Sequence, residues 1–317
     1  MQLPSNSSPA FFDAIDESYC HLTAFNQTGN CVSADCRDPE YPNPNAPASQ
    51  GGYQGAMMCG KYPPTNVISI SYSGLEDGWP ANYMRRQCVE VMKLALQGVT
   101  VVESSGDYGV GGQWPDTRAG CLGTAQDVYS PRVMGNCPYV LSVGATTAVE
   151  PEYQSPGAVA KLVEIAADSF ASGGGFSNVF DRPKWQDQHV RSYLQRANMS
   201  SLGYTSATAL ASGLGFDTVR PPPGPGKVFN MGGRGYPDVA AIGENFRVVL
   251  RAYPNRMHGT SVSTPIWASI LTLINEERLA AGKSTIGFVH QVLVSHPPLR
   301  PRGWTVCPFT PAVLTMA

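Results

Sequence analysis

The sequence has no run of about 18 or more apolar residues, which excludes a membrane-spanning helix of ordinary length. Charged residues make up only 15% of the chain and the net charge is −2, so nothing indicates a nucleic-acid surface. The cysteines form no Cys-x-x-Cys pair and show no zinc-like spacing with histidine, which disfavours a structural metal. With 42% hydrophobic residues, the chain is typical of a globular protein with a sizeable core.

Eight cysteines and three potential N-glycosylation sites, at Asn6, Asn26 and Asn198, indicate an oxidising, secretory environment. The first residues, 1–5, nevertheless contain neither the basic segment nor the apolar core of a signal peptide. We therefore expect the natural start to lie upstream, so that the chain as given has no signal peptide.

The order of apolar segments predicts an α/β fold. Short β-branched runs at 66–72, 99–102 and 139–145 have the character of buried parallel strands. Between the first two runs, residues 81–97 carry apolar side chains at helical spacing, and Gly98 marks the end of that helix. A strand–helix–strand unit of this kind predicts a parallel sheet with helices on its faces. A strand at 247–250, a helix after residue 261 and a short helix over 9–19 are also predicted. With 317 residues, no internal repeat and no clear linker, one domain is expected.

Ser261 is the first candidate for catalysis. It lies in a turn of small residues, 259–265, that leads directly into the apolar segment 266–271. The unpaired N–H groups and positive dipole at the start of a helix favour a developing negative charge. Serine hydrolases need such a setting, since nucleophile and oxyanion donors must approach the same carbonyl group. The alternative is that Ser261 or Ser263 only caps a core helix.

The residues that would assist Ser261 are less obvious. Of the histidines, His258 lies three residues before Ser261 and would have to fold back over a tight turn. We therefore disfavour a histidine-based triad. Asp107 follows the strand at 99–102, and ligands bind at the carboxyl ends of strands in parallel sheets. A turn-forming role beside Gly106 is the alternative for Asp107.

Several short sequence blocks occur in one order along the chain. They are 11–20, 64–72, 93–99, 105–107, 137–140, 172–177, 235–239 and the turn around Ser261. In these blocks, over about residues 10 to 296, the chain resembles the sedolisins, which are serine-carboxyl peptidases with the subtilisin fold. Among them it is most like fungal secreted tripeptidyl-peptidase-like members.

The resemblance implies a subtilisin-like α/β fold with a central, mostly parallel sheet flanked by helices. It also implies a peptidase in which Ser261 is the nucleophile and Asp107 the acid that stabilises the oxyanion. In this family a glutamate replaces histidine as the general base, and a second aspartate orients it. A carboxylate base and a neutral carboxylic acid coexist only in acid, so activity at acidic pH is expected. Peptide or protein substrates and a monomeric, extracellular protein are expected, with no nucleic-acid or membrane partner.

Two further assignments concern glycines and cysteines. Ser172, Gly173, Gly174 and Gly175 are expected to bind substrate, because glycines let a backbone approach an extended peptide closely. A flexible loop is the alternative. Cys121 and Cys137 flank a short loop and could form a disulfide, or both could be free thiols.

The chain departs from the family pattern at both ends. The base and its orienting aspartate come from a Glu-x-x-x-Asp motif that precedes the block at 11–20, where only about ten residues remain and none is acidic. The same spacing occurs at Glu103–Asp107, on a predicted strand end, and at Glu164–Asp168, in the wrong order. We therefore expect the base pair to be missing from this chain.

The C-terminal calcium site of the family is also expected to be absent. Its hard oxygen ligands are carboxylates, whereas no acidic residue follows Glu277. No cofactor is therefore expected in this chain. Residues 1–10 are unassigned, 11–296 are expected to form an incomplete peptidase domain, and 297–317 form a divergent tail that reads like an altered reading frame.

Three functions remain at this point. The first is an acid-active serine-carboxyl peptidase, catalytically incomplete in the chain as given. The second is a non-catalytic pseudoprotease that only binds peptide. A serine esterase is weaker, since no Gly-x-Ser-x-Gly motif surrounds Ser261.

Overall fold

The computed structural model describes residues 64–76, 81–110, 129–149, 163–196, 203–204, 229–290 and 293. The predicted helix over 9–19, the block at 11–20, Cys121 and the tail 297–317 lie outside these ranges. In chain order the helices and strands are β1 (Val67–Ile70), α1 (Ala81–Leu96), β2 (Thr100–Ser104), β3 (Val140–Val149), β4 (Val163–Ala166), β5 (Gly175–Asp181), α2 (Asp187–Arg196), β6 (Gly203–Tyr204), β7 (Phe229–Asn230), β8 (Gly233–Tyr236), β9 (Val239–Ile242), β10 (Phe246–Leu250), β11 (Tyr253–Met257) and α3 (Thr260–Ala280). Short 3₁₀ turns lie at Met134–Asn136 and Lys184–Gln186.

A five-stranded sheet forms the centre of the described fold. Strands β1, β2 and β3 are neighbours and run parallel, and β9 pairs in parallel with β3. Strand β4 pairs with β3 in the antiparallel sense. The predicted α/β class, with a mostly parallel central sheet and flanking helices, is confirmed.

Helices α1 and α3 cover opposite faces of the sheet. Successive side chains of a strand point to opposite faces, and Val101 and Val102 accordingly enter different core clusters. Val101 packs in the cluster that contains Met84 of α1, and Val102 in the one that contains Trp267 of α3. Helix α3 therefore begins at the sheet edge where the parallel strands end, with its axis held by buried side chains.

The predicted strand at 247–250 is confirmed as β10, whereas the pairing of the smaller sheets was not predicted from the sequence. Strands β5 and β8 pair in antiparallel fashion, and β10 and β11 form an exposed antiparallel hairpin that leads into α3. Helix α2 was also missed. Among the helices that the structure describes, none has the length and hydrophobicity needed to cross a bilayer.

The cysteine pairing differs from the one considered above. Cys137 forms a disulfide with Cys88 of α1, not with Cys121, and the two α-carbons lie 5.4 Å apart. Cys88 faces the core from α1, and Cys137 directly follows the 3₁₀ turn that leads to β3. The bond therefore ties α1 to the start of β3 across 49 positions of sequence.

Candidate active site

A cleft of about 500 Å³ opens where β1 and β2 end and α3 begins. Its lining residues come from the segment after β1, the segment after β2, the start of α3 and one arginine. They are Ser71, Tyr72, Ser73, Ser104, Gly106, Asp107, Tyr108, Arg132, Thr260 and Ser261. The structure thus brings Ser261 and Asp107, chosen independently from the sequence, to the same cleft.

Ser261 is the second residue of α3, and its side chain is exposed. Its hydroxyl lies 3.5 Å from the carbonyl oxygen of Ser71, at the carboxyl end of β1. The capping alternative is wrong, because Gly259, which has no side chain, occupies the N-cap position of α3. The hydroxyl of Ser263, in turn, donates to the carbonyl oxygen of Ala241 inside the protein. Ser261 is therefore the hydroxyl that faces the cleft at the positive end of α3.

Asp107 is held directly against the start of α3. Its Oδ1 accepts hydrogen bonds from the backbone N–H and the hydroxyl of Thr260, each at 2.8 Å. The backbone N–H of Gly106 donates to the same hydroxyl at 3.1 Å. Thr260, which is almost fully buried and directly precedes Ser261, therefore links the loop after β2 to the start of α3. This role of Thr260 was missed, although the Gly-Thr-Ser turn contains it.

Gly259 is required by the close approach of Asp107. It has a φ of +124°, which side-chain-bearing residues rarely adopt. A β-carbon at this position would lie 2.9 Å from Oδ2 of Asp107. A side chain at position 259 would therefore cover Oδ2 of Asp107.

Gly173 and Gly174 support the Asp107 loop through backbone hydrogen bonds. The N–H of Gly173 donates to the carbonyl oxygen of Gly106 at 2.6 Å, and the N–H of Gly174 to that of Gly109 at 3.4 Å. A β-carbon on Gly173 would lie 2.0 Å from the carbonyl oxygen of Ser105. Ser172 Oγ accepts from the N–H of Ala145 in β3. Close backbone approach explains Gly173, though here the neighbour is the chain's own loop, and substrate contact by Ser172 and the three glycines stays a prediction.

Neither Glu-x-x-x-Asp string lies on a helix. Glu103 is fully buried within β2, while Asp107 lies beyond the end of that strand. Glu164 lies on β4, where the hydroxyl of Thr146 donates to it. Among the cleft-lining residues that the structure describes, Asp107 is the sole carboxylate, and His258 is not among them. The general base stays unassigned.

Arg132 is a cleft residue that sequence reasoning missed. Its guanidinium donates to the carbonyl oxygen of Ser73 at 2.5 Å, which ties the segment after β1 to the segment before β3. The guanidinium also packs beneath Gly106, where a β-carbon would lie 2.8 Å from its Nε. Nothing in the sequence indicated this role, because Arg132 lies outside the predicted strands and helices and contacts the cleft only in the folded chain.

Glu76 is a buried carboxyl group behind the cleft wall. It accepts hydrogen bonds from the hydroxyl of Ser177, the N–H of Asn178 at 2.8 Å and the side-chain amide of Asn136 at 3.1 Å. Burial raises the pKa of Glu76 to about 8, against these hydrogen bonds, which lower it. Glu76 thus joins the segment after β1 to β5 and to the 3₁₀ turn before β3.

A second buried cluster lies around Asp238. Arg234, which is fully buried, contacts Asp238 at 2.5 Å, and His290 Nε2 lies 3.2 Å from the same oxygen. Burial favours a raised pKa for Asp238, but Arg234 and His290 outweigh it and hold the pKa below its usual value. These interactions assign His290 to the fold, not to the cleft.

No metal-binding group of three or more His, Cys, Asp or Glu residues occurs in the part of the chain that the structure describes. The missing calcium site stays a prediction, because the family site is expected in the C-terminal region, beyond the described residues.

No sequence-family model matches the chain. Individual proteins do match. Tripeptidyl-peptidase sed1 of Aspergillus fumigatus is 44% identical over 291 residues, which are 90% of this chain and 40% of that protein. Aorsin of Aspergillus oryzae is 42% identical over 289 residues, 90% of this chain and 41% of that protein. Human tripeptidyl-peptidase 1 is 33% identical over 227 residues, 71% of this chain and 33% of that protein.

Among solved structures, Pseudomonas sedolisin, described as a serine-carboxyl proteinase, is 20% identical with a TM-score of 0.43, over 74% of this chain and 54% of that one. The chain spans about two fifths of the length of the two Aspergillus relatives. At 44% and 42% identity over 90% of its own length, the chain belongs to the sedolisin family.

Proposed function

We propose that the cleft is the site of peptide-bond hydrolysis in a serine-carboxyl peptidase, with Ser261 as nucleophile and Asp107 as oxyanion acid. The observation that carries this proposal is the junction at the start of α3. There an exposed serine hydroxyl and a carboxyl group share one cleft, and Thr260 ties the two together.

The proposed reaction follows from this arrangement. Ser261 Oγ attacks the carbonyl carbon of the scissile peptide bond, and its proton passes to a carboxylate base. The carbonyl oxygen becomes an oxyanion, which receives a hydrogen bond or proton from Asp107 near the positive end of α3. The intermediate then expels the protonated amine and leaves an acyl ester on Ser261, which water hydrolyses to release the acid.

Acidic pH suits this chemistry. Asp107 must carry a proton in order to donate to the oxyanion, and acid supplies it. The fold is also suited to acidic pH, since burial stabilises Glu76 in its protonated form. Arg234 and His290 hold the pKa of Asp238 below its usual value, which favours its charged form.

The proposed substrates are peptides or proteins, and the proposed location is outside the cell or in another oxidising compartment. The relatives named above as tripeptidyl-peptidases support removal of tripeptides, with internal cleavage as the alternative. The disulfide between Cys88 and Cys137 supports the oxidising compartment.

A peptide-binding pseudoprotease is the second candidate. One observation favours it: among the described lining residues, only Asp107 is a carboxylate, and it is already assigned to the oxyanion. In that case the cleft would only bind peptides, and Ser261 would not act as a nucleophile. A catalytically incomplete copy of the peptidase site, one without its general base, would instead form adducts on Ser261 without turning substrate over.

The test uses a peptide aldehyde and the matching peptide alcohol at about pH 4. Ser261 Oγ adds to the aldehyde carbon to give a hemiacetal, whereas the alcohol offers no electrophile. We expect the protein to bind the aldehyde at least tenfold more tightly than the alcohol, which is roughly the contribution of one charge-assisted hydrogen bond. Ser261→Ala should lose that preference. Ser269→Ala, a serine of the same helix whose hydroxyl bonds to Pro265, is the matched control and should keep it.

Peptide hydrolysis in the same samples separates the two candidates. Turnover that depends on Ser261 identifies an active peptidase, and an aldehyde preference without turnover identifies the incomplete copy. Equal affinities for aldehyde and alcohol in the unsubstituted protein would refute the peptidase proposal, because Ser261 would then not be acting as a nucleophile, and would leave the pseudoprotease that only binds peptide.

A further inference from the structure

We infer that Thr260 is a positioning residue that fixes the proton of Asp107 on Oδ2, so that this oxygen is the one that donates to the oxyanion. The inference rests on the proposed function of the cleft and deepens it. It assigns a role to an almost fully buried residue that acts through Asp107.

The first step is the direction of the hydrogen bonds at the Thr260 hydroxyl. A threonine hydroxyl has one hydrogen to donate and lone pairs to accept. The N–H of Gly106 can only donate, so at 3.1 Å it uses a lone pair of Thr260 Oγ1. The single hydrogen of that hydroxyl is then free to point at Asp107 Oδ1, 2.8 Å away.

The second step concerns the two oxygens of Asp107. Oδ1 accepts two hydrogen bonds, from the N–H and from the hydroxyl of Thr260, both at 2.8 Å. A proton on Oδ1 would point at one of these donors, which is unfavourable. In the neutral acid Oδ1 is therefore the carbonyl oxygen, and Oδ2 carries the proton.

The third step is the position of Oδ2. A β-carbon at Gly259 would lie 2.9 Å from Oδ2 but 3.6 Å from Oδ1, so Oδ2 is the oxygen above the Gly259 backbone. Gly259 immediately precedes α3, and Asp107 lines the cleft. The protonated oxygen is thus left open by the absence of a side chain at 259, two residues before Ser261.

Thr260 therefore orients Asp107 as a donor. Without the hydroxyl, Oδ1 keeps one hydrogen bond and the carboxyl group can rotate or place its proton on either oxygen. Preorganised donors are worth more than mobile ones at a developing oxyanion. The loss should appear in adduct formation and not in the binding of an unreactive peptide.

The experiment measures affinity for the peptide aldehyde and the peptide alcohol at about pH 4 in folded variants. Thr260→Val should reduce the aldehyde preference roughly tenfold and leave the alcohol affinity within about twofold. Thr260→Ser restores the hydroxyl and should restore the preference. Thr264→Val is the matched control, since Thr264 is a buried threonine one turn later that bonds only to the Thr260 carbonyl oxygen in α3.

Asp107→Asn gives a second readout that does not require a change at Thr260. The donors of Thr260 hold the amide oxygen at the Oδ1 position, which places the NH₂ group at the Oδ2 position as a donor. Asp107→Asn should therefore retain most of the aldehyde preference, whereas Asp107→Ala should lose it.

Two results would overturn the inference. One is a Thr260→Val protein that keeps the full aldehyde preference, or that loses aldehyde and alcohol affinity equally. The other is an Asp107→Asn protein that binds the peptide aldehyde as weakly as Asp107→Ala does. Neither can be confused with failure of the proposed function, which would appear as no aldehyde preference in the unsubstituted protein.

Discussion

At the scale of single residues, the start of α3 accounts for most of the proposed chemistry. Ser261 could be selected from the sequence because a small-residue turn before an apolar helix is a local signal. Asp107 could be selected because it follows a recognisable strand. Thr260 could not be given a role, since its partners Gly106 and Asp107 lie more than 150 positions away in sequence.

Glu76 shows the limit of residue-level prediction. It lies in a polar, turn-like stretch, and nothing local indicates that three donors from distant segments surround it. Its burial also makes a stability prediction, since a carboxyl group with a raised pKa binds its proton more tightly in the folded state.

The free energy of unfolding should fall as pH rises from about 4.5, the ordinary glutamate value, to about 8, the value for folded Glu76. At about 1.4 kcal/mol per pKa unit, the fall is on the order of a few kcal/mol. Glu76→Gln should lack this part of the pH dependence. Urea unfolding at a series of pH values measures it.

Glu90→Gln is the control, because Glu90 is an exposed glutamate of α1 paired with Lys93. The free energy of unfolding of Glu90→Gln should change with pH in the same way as that of the unsubstituted protein. If the free energy of unfolding depends on pH in the same way in the unsubstituted and Glu76→Gln proteins, Glu76 does not hold its proton as described.

At the scale of elements, sequence prediction succeeded where periodicity is local. Strands β1, β2, β3 and β10 and helix α1 were placed within a few residues of their observed bounds, and α3 was placed at its observed start. Strands β5 and β8 were missed, because β5 follows a glycine cluster, β8 is short and contains two glycines, and the two strands pair only with each other. The disulfide was also misplaced, since spacing alone favoured Cys121 and could not show that α1 brings Cys88 to Cys137.

The pairing of Cys88 with Cys137 predicts a specific linked peptide. Proteolysis without reduction, followed by mass spectrometry, should recover the Cys88 peptide joined to the Cys137 peptide. The Cys88→Ala/Cys137→Ala variant should lose about 2–5 kcal/mol of stability, because the closed loop of 49 positions is long. Recovery of Cys137 joined to Cys121 would contradict the structure.

At the scale of the whole molecule, one arrangement connects fold, family and chemistry. A parallel sheet ends at a cleft, and a helix on one face presents Ser261 there at its positive end. The family could be inferred from ordered blocks, because several short matches in sequence order rarely occur by chance. The partner of each buried charge could not be inferred from the sequence, since pairs such as Arg234 with Asp238 form only when the sheet and its loops are assembled.

The central claim is that Ser261 and Asp107 act on the same reacting carbonyl group. A crystal structure of the protein with the peptide aldehyde, grown at about pH 4, tests it most directly. The account predicts continuous density from Ser261 Oγ to the former aldehyde carbon, with the resulting oxygen within hydrogen-bonding distance of Asp107 Oδ2. An aldehyde bound without a bond to Ser261, or an adduct whose oxygen points away from Asp107, would contradict it.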